Sequence, residues 1–273
     1  MSHAQDVVEY YTMRDAARAD LYPNQPFANY GYWTRPDLTI EQAAEAMAVL
    51  VGATAGLGPQ DRVLEVGCGY GACAVVYGKR FAPASITGID LTDIRIQKGR
   101  EYVARHGLSG SIDLQVGDAT KLAFGDASFD KVIAVECAFH FGTRRDFLHE
   151  AARVLKPGGV LVMTDLVTRR GTDMAALRIG EKAAIAQVQL YDPVNAYDAD
   201  TYAGYLRDVG FHATRIDSIT TFTLDPFIPA LHRHADRTAV RENAPGIHRH
   251  ADRLAEIVAA GEDYVVVAAR KGP

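Results

Sequence analysis

The stretch Val63-Leu64-Glu65-Val66-Gly67-Cys68-Gly69-Tyr70-Gly71 decides the fold of this chain. An apolar strand pattern ends near a carboxylate and runs into three alternate glycines, and apolar positions at helical spacing follow over 70–81. Glycines at such a turn let backbone N–H groups approach a ligand with no side chain between, at a helix start whose dipole favours negative charge. The pattern is that of a nucleotide-type cofactor site. Ala72 fills the sixth place of the relaxed dinucleotide fingerprint G-x-G-x-x-A, so the glycines alone leave the ligand open.

The surrounding acids narrow it. Glu65, two residues before the first glycine, repels a pyrophosphate and suits a cationic amino group. Ile86-Thr87-Gly88-Ile89-Asp90 is a second strand, and an acid at its end can accept both hydroxyls of a ribose. A third strand, Ile112-Asp113-Leu114-Gln115-Val116, leads into Gly117-Asp118-Ala119, whose carboxylate suits an adenine amino group. The ligand best matched is adenosine bearing an amino acid and a positive centre instead of phosphates, which is S-adenosylmethionine.

Together with Phe129-Asp130-Lys131-Val132-Ile133 and Leu155-Lys156-Pro157-Gly158-Gly159, these motifs run in order over residues 58 to 167. By them the chain resembles the class I S-adenosylmethionine-dependent methyltransferases, in particular the small-molecule, natural-product group. The resemblance implies a doubly wound α/β fold with a mostly parallel seven-stranded, Rossmann-like sheet, an antiparallel last strand and a helical cap. It implies that Glu65, Gly67, Gly69 and Gly71 hold the methionine part, Asp90 the ribose, and Asp118 with Ala119 the adenine. Leu91, Glu136, Tyr30 and Trp33 complete the expected cofactor set, with Glu136 placed to contact either the acceptor or the methionine part.

Composition sets limits. At 273 residues and 48% hydrophobic content, one α/β domain with a substantial core is expected. A net charge of −5 gives no general attraction for phosphate backbones, so nucleic acid is not expected as a partner. The absence of a long apolar run and of a basic-then-apolar leader predicts no membrane span and a cytoplasmic protein. The three cysteines, Cys68, Cys73 and Cys137, read as reduced thiols without zinc spacing, and no metal is expected. A homo-oligomer stays open.

Strand and helix patterns alternate over 57–167, which predicts a parallel sheet with its ligand beyond the carboxyl ends of the strands. Three segments fall outside that core: 1–56, read as an aromatic lid, and 168–198 and 224–260, read as cap insertions. The first holds Tyr10, Tyr11, Tyr22, Phe27, Tyr30, Tyr32 and Trp33, rings able to shield a sulfonium. The second carries Met174, Leu177, Ile179, Ile185, Val188 and Leu190 as an acceptor wall or a packing helix. In the third, His232-Arg233-His234-Ala235-Asp236-Arg237 recurs as His248-Arg249-His250-Ala251-Asp252-Arg253, a duplication that reads as solvated helix face.

Methyl transfer from a sulfonium is an in-line displacement, so positioning the acceptor comes first. For a hydroxyl acceptor a general base adds to it. His140, just after the fourth strand, is the candidate, and the resemblance supports a histidine there; an imidazole's ordinary pKa of about 6.5 suits the task. Asp165, at the end of the fifth strand, is its expected orienting partner. O-methylation of a small, partly apolar metabolite is the leading expectation. The same scaffold serves C- or N-methylation, and a non-methylating cyclase could keep the cofactor as a structural element.

Overall fold

Strand β1 (Arg62–Val66) is buried on both faces at Val63, Leu64 and Val66, as a central parallel strand must be. It lies between β2 (Ser85–Asp90) and β4 (Phe129–Val135), both parallel to it, with Val66 level with Ile89 on one side and Ala134 on the other. Adding β3 (Ile112–Val116), β5 (Leu155–Thr168), β6 (Phe211–Ser218) and β7 (Glu262–Lys271) gives the order β3-β2-β1-β4-β5-β7-β6. β7 alone runs against its neighbours β5 and β6. The expected mostly parallel seven-stranded sheet with an antiparallel last strand is therefore the observed one. The computed structural model describes residues 3–13, 21–22, 24–172, 195, 197–237 and 244–273.

Helices cover both faces. On one side lie α2 (Ile40–Ala55), α3 (Ala72–Phe81) and α4 (Asp93–Arg105); on the other lie α5 (Arg144–Val154) and α6 (Ala199–Asp208). α2 starts at a reciprocal capping box between Thr39 and Gln42 and buries Ala43, Ala44, Met47, Ala48 and Val51. It thus belongs to the packed layer, while α1 (His3–Met13) reaches the residues after β4 through Tyr11, whose hydroxyl contacts His140. The apolar residues expected to line an acceptor wall, from Met174 to Leu190, lie outside the described residues.

The duplicated motif exposes Arg233, Asp236, Arg237, Arg249 and Asp252, as a solvated face would, but adds a contact that the solvated-face reading does not include. Its copies sit on α7 (Leu224–Ala235) and α8 (Ala244–Ala259), and they meet. Nδ1 of His232 lies 2.8 Å from Nδ1 of His248, while their Nε2 atoms lie 3.4 and 3.3 Å from Asp252 and Asp236 respectively. The pairings run in opposite senses along the two helices, so the duplication makes a two-fold-like seam between antiparallel neighbours. Periodicity on a single helix could not show this, because the partner of each histidine is on the other one.

Candidate active site

The strand order reverses between β1 and β4, and ligands of open α/β sheets bind outside the carboxyl ends of the strands at such a switch point. Here the loops after β1, β2, β3 and β4 open on one cavity of ≈ 150 Å³. Glu65, Gly67, Gly69, Asp90, Leu91, Asp118, Ala119, Glu136 and His140 all line it.

At its core the Asp90 carboxylate fastens two loops: Oδ2 accepts from the Gly69 amide at 3.0 Å and Oδ1 from the Thr92 amide at 2.8 Å. Each oxygen keeps a further lone pair for a ligand hydroxyl. Asp118 commits Oδ1 to the amide and hydroxyl of Thr120, at 2.8 and 2.7 Å, and leaves Oδ2 without a partner among the described residues. Glu65 is buried, its Oε2 has no hydrogen-bond partner among the described residues, and burial pushes its pKa up to about 8. A carboxyl so placed costs free energy until a cation meets it. Gly69 has φ +54°, and a Cβ there would meet no atom within 4 Å, so it would project into the cavity instead of into protein. These residues fit S-adenosylmethionine: acids for the ammonium, ribose and adenine, and bare backbone along the loop.

Gly71, Tyr30 and Trp33 are not part of the cavity wall. Gly71 starts α3 and abuts Leu114, 2.9 Å from where a Cβ would sit. The Trp33 indole N–H donates to the Tyr30 carbonyl, and the Tyr30 ring stacks edgewise on Phe227 and Tyr264. Two other aromatic residues of the N-terminal segment, Tyr11 and Phe27, reach the cavity instead.

The hydroxyl of Tyr11 lies 2.6 Å from Nε2 of His140, and the Arg95 guanidinium lies 4.0 Å from the Tyr11 ring centre. Burial holds the Tyr11 pKa well above its usual value, against the opposing charge of Arg95, so the side chain is a phenol. α1 is thereby docked at two points on the cavity wall. Arg95 is 5% exposed, its guanidinium lies over the faces of Tyr11 and Tyr70, and among the described residues it makes no hydrogen bond or ion pair. The sequence carries a signal for it: position 95 falls on the buried face of α4 with Ile96, Gly99 and Tyr102, an unusual place for a cation.

Asp165 does not join His140. Its Oδ2 lies 2.8 Å from Nε of Arg144 and accepts from the Tyr202 hydroxyl at 3.0 Å, while its Oδ1 accepts from Nη2 of Arg144 and the Leu166 amide at 3.1 and 2.9 Å. Both residues of this ion pair are buried, and Arg144 also donates to the Asn195 carbonyl. The expected dyad is corrected for that reason: the aspartate is already saturated. A cation in the first turn of a helix opposes the dipole, and Arg144 at the start of α5 could have announced a buried partner.

Glu136, the residue after β4, has φ +50°, a conformation that costs a non-glycine residue about 1–2 kcal/mol. Its Oε1 accepts from the Tyr30 amide at 2.8 Å and the Tyr264 hydroxyl at 2.5 Å. Burial raises its pKa to about 8, the bonds from Tyr264 and Tyr30 opposing and Asp165 adding.

A family model described as a methyltransferase domain matches residues 64–163. The erythromycin 3''-O-methyltransferase of Saccharopolyspora erythraea is 32% identical over 210 residues, covering 74% of this chain and 67% of that protein. The chain belongs to the class I S-adenosylmethionine-dependent methyltransferases. Within these enzymes it is also similar to the 27-O-demethylrifamycin SV methyltransferase of Amycolatopsis mediterranei, 28% identical over 75% of this chain and 74% of that one. The methyltransferase fold is shared with the crystal structure of the [4+2]-cyclase SpnF (TM-score 0.77, 24% identity, 98% and 96% coverage). It is shared too with the geranyl diphosphate C-methyltransferase of Streptomyces coelicolor A3(2), solved with S-adenosyl-L-homocysteine (TM-score 0.77, 18% identity, 99% and 98% coverage). The protein is a methyltransferase, and S-adenosylmethionine is its cofactor. Among the described residues no helix is long and apolar enough to cross a membrane, and no group of three or more His, Cys, Asp or Glu could hold a metal ion.

Proposed function

We propose that this methyltransferase methylates a hydroxyl group of a small, partly apolar natural-product scaffold. The observation that carries the reading is His140 on the cavity wall, buried against the ring of Phe139, with Nε2 in contact with the Tyr11 hydroxyl. The similarity to the erythromycin 3''-O-methyltransferase and the 27-O-demethylrifamycin SV methyltransferase supports the same acceptor atom.

The bound cofactor supplies a methyl group on a sulfonium. Glu65 meets its ammonium group, Asp90 its ribose, and Asp118 with Ala119 its adenine; Gly67, Gly69 and Leu91 shape the bed, while Gly71 fixes the turn from behind. Tyr30 and Trp33 act one layer out, through the backbone amide that Tyr30 gives Glu136. The acceptor hydroxyl donates to the Tyr11 oxygen as the Tyr11 proton moves to Nε2 of His140, so the acceptor's proton is replaced by methyl and the imidazole ends cationic. Tyr11 starts and ends as a phenol, as its burial requires. In this reading α1 and 24–39 close over the reactants, and α7 and α8 contribute to the cap.

Purified protein incubated with methyl-labelled cofactor and a panel of hydroxylated macrolides and aromatic polyketides tests the reading. A product heavier by one CH₂ unit, with the label on oxygen, supports it. An isobaric product would point to a cyclase, and label on carbon or nitrogen would move the acceptor atom; either would overturn it.

A further inference from the structure

Glu136 carries more apparatus than a cavity-wall residue needs. It sits in left-handed backbone at a strand end, its Oε1 receives two donors, and its Oε2 has no partner among the described residues. Strain of this kind persists at functional sites because the surroundings enforce it. The turn it starts lies against the glycine loop, since a Cβ on Gly67 would come 2.5 Å from the Cβ of Cys137. The two donors on Oε1 come from opposite sides, Tyr30 from the N-terminal segment and Tyr264 from β7, so this one oxygen clamps the lid segment to the sheet.

The groups facing it are acids and neutral donors. They are Tyr264 on β7, Tyr30 before α2, Asp165 on β5 with its charge met by Arg144, Cys73 on α3, and the neighbouring Cys137. Among the described residues no cation pairs with Glu136. A positive charge entering the cavity would therefore set its ionisation, and burial has already brought its titration to about pH 8.

We infer that Glu136 reads the charge on the cofactor's sulfur: it is ionised opposite the sulfonium and protonated opposite the thioether product, which weakens the Tyr30 and Tyr264 clamp after transfer. The inference rests on the cofactor assignment and is independent of the acceptor atom and of His140. A hydrogen bond to an ionised acceptor is roughly twice as strong as one to a neutral acceptor, so losing the charge loosens both bonds together. The reaction converts a cation to a neutral thioether, and the proton Glu136 takes up comes from solvent. Glu136 is thus a positioning residue tied to the reaction's charge balance.

Calorimetry at pH 7.5 in buffers of different ionisation enthalpy tests this on the full chain, by counting protons released on binding S-adenosylmethionine and on binding S-adenosylhomocysteine. The two ligands share the ammonium and differ at sulfur, so Glu65 contributes equally to both. The wild type is expected to release more protons to the sulfonium compound. Glu136→Gln keeps an oxygen for Tyr30 and Tyr264, and is expected to abolish the difference and to shift the affinity ratio of the two ligands about tenfold towards the product. Glu65→Gln should keep the difference and lower both counts. Equal counts in the wild type, or a difference that survives in Glu136→Gln, would overturn the inference, whereas failure of either compound to bind would instead overturn the cofactor assignment.

Discussion

Asp165→Ala separates structural from catalytic work at the end of β5. Asp165 is 0% and Arg144 1% exposed, so the substitution leaves a guanidinium buried beside the Leu166 and Asn195 carbonyls with no carboxylate. Breaking a buried pair from one side costs about 3–5 kcal/mol, a large share of the roughly 5–15 kcal/mol that holds a domain folded. For a chain of this size that corresponds to a fall in Tm of roughly 6–20 °C. Urea unfolding followed by circular dichroism should show the midpoint falling by more than about 1 M. The double substitution Asp165→Leu with Arg144→Met should recover at least half of the loss, because paired burial and apolar burial are close in free energy. Turnover of folded Asp165→Ala below its midpoint should stay within about tenfold of wild type, since the carboxylate bonds no catalytic group. An unchanged midpoint together with a hundredfold fall in turnover would refute this, and would restore Asp165 as the partner that orients His140.

His140→Ala should lower turnover of a hydroxyl acceptor by about 10²–10⁴-fold, with calorimetric affinity for S-adenosylhomocysteine within about threefold of wild type; full turnover across pH would remove the base assignment. Asp90→Ala should weaken cofactor binding about 10–100-fold, the loss expected for hydrogen bonds to a charged group, and equal affinity would show that the ribose lies elsewhere. The ligand-free protein should lose stability as pH rises. Glu65 moves from an ordinary 4.5 to about 8 on folding, so the native state holds its proton more tightly than the unfolded chain does. That contribution is whole below about 4.5 and is lost as pH rises through 8. Urea midpoints at pH 5 and pH 8 should therefore drop less in Glu65→Gln than in wild type, and parallel drops would show that Glu65 does not titrate in this range.

Features carried by local pattern were legible in the sequence. Val63 to Gly71 announced a strand, a glycine turn and a helix, and β1 with α3 is that unit. Glu65, Asp90 and Asp118 were legible as cavity acids because each lies within two residues of the end of a parallel strand, where topology directs side chains to one edge. Pairings across distant segments were not. Asp165 and His140 looked like neighbours because adjacent strands present both, yet Arg144 stands closer to the aspartate and takes it. Among the N-terminal rings, chemistry alone could not rank Tyr11 over Trp33. The ranking comes from which side of the segment faces the sheet, and Trp33 is turned inward by its bond to the Tyr30 carbonyl. The seam of His232 and His248 depends in the same way on a helix pairing that neither copy encodes alone.

The same loops that satisfy a dinucleotide fingerprint here exclude a dinucleotide, and charge decides it. Glu65, Asp90, Asp118 and Glu136 line the cavity, and none of them is ion-paired with a lysine or arginine among the described residues. A pyrophosphate would bring two further negative charges into a space where burial already keeps Glu65 and Glu136 reluctant to ionise. Arg95 faces the same space, but its guanidinium lies against the rings of Tyr11 and Tyr70, and one cation cannot offset that repulsion. A ligand bearing an ammonium and a sulfonium reverses the balance, because each positive charge lowers the cost of ionising a buried carboxyl. Glycine geometry therefore makes room for an adenosine ligand of either kind, and the proposed roles of the uncompensated carboxylates account for preference for the cationic one.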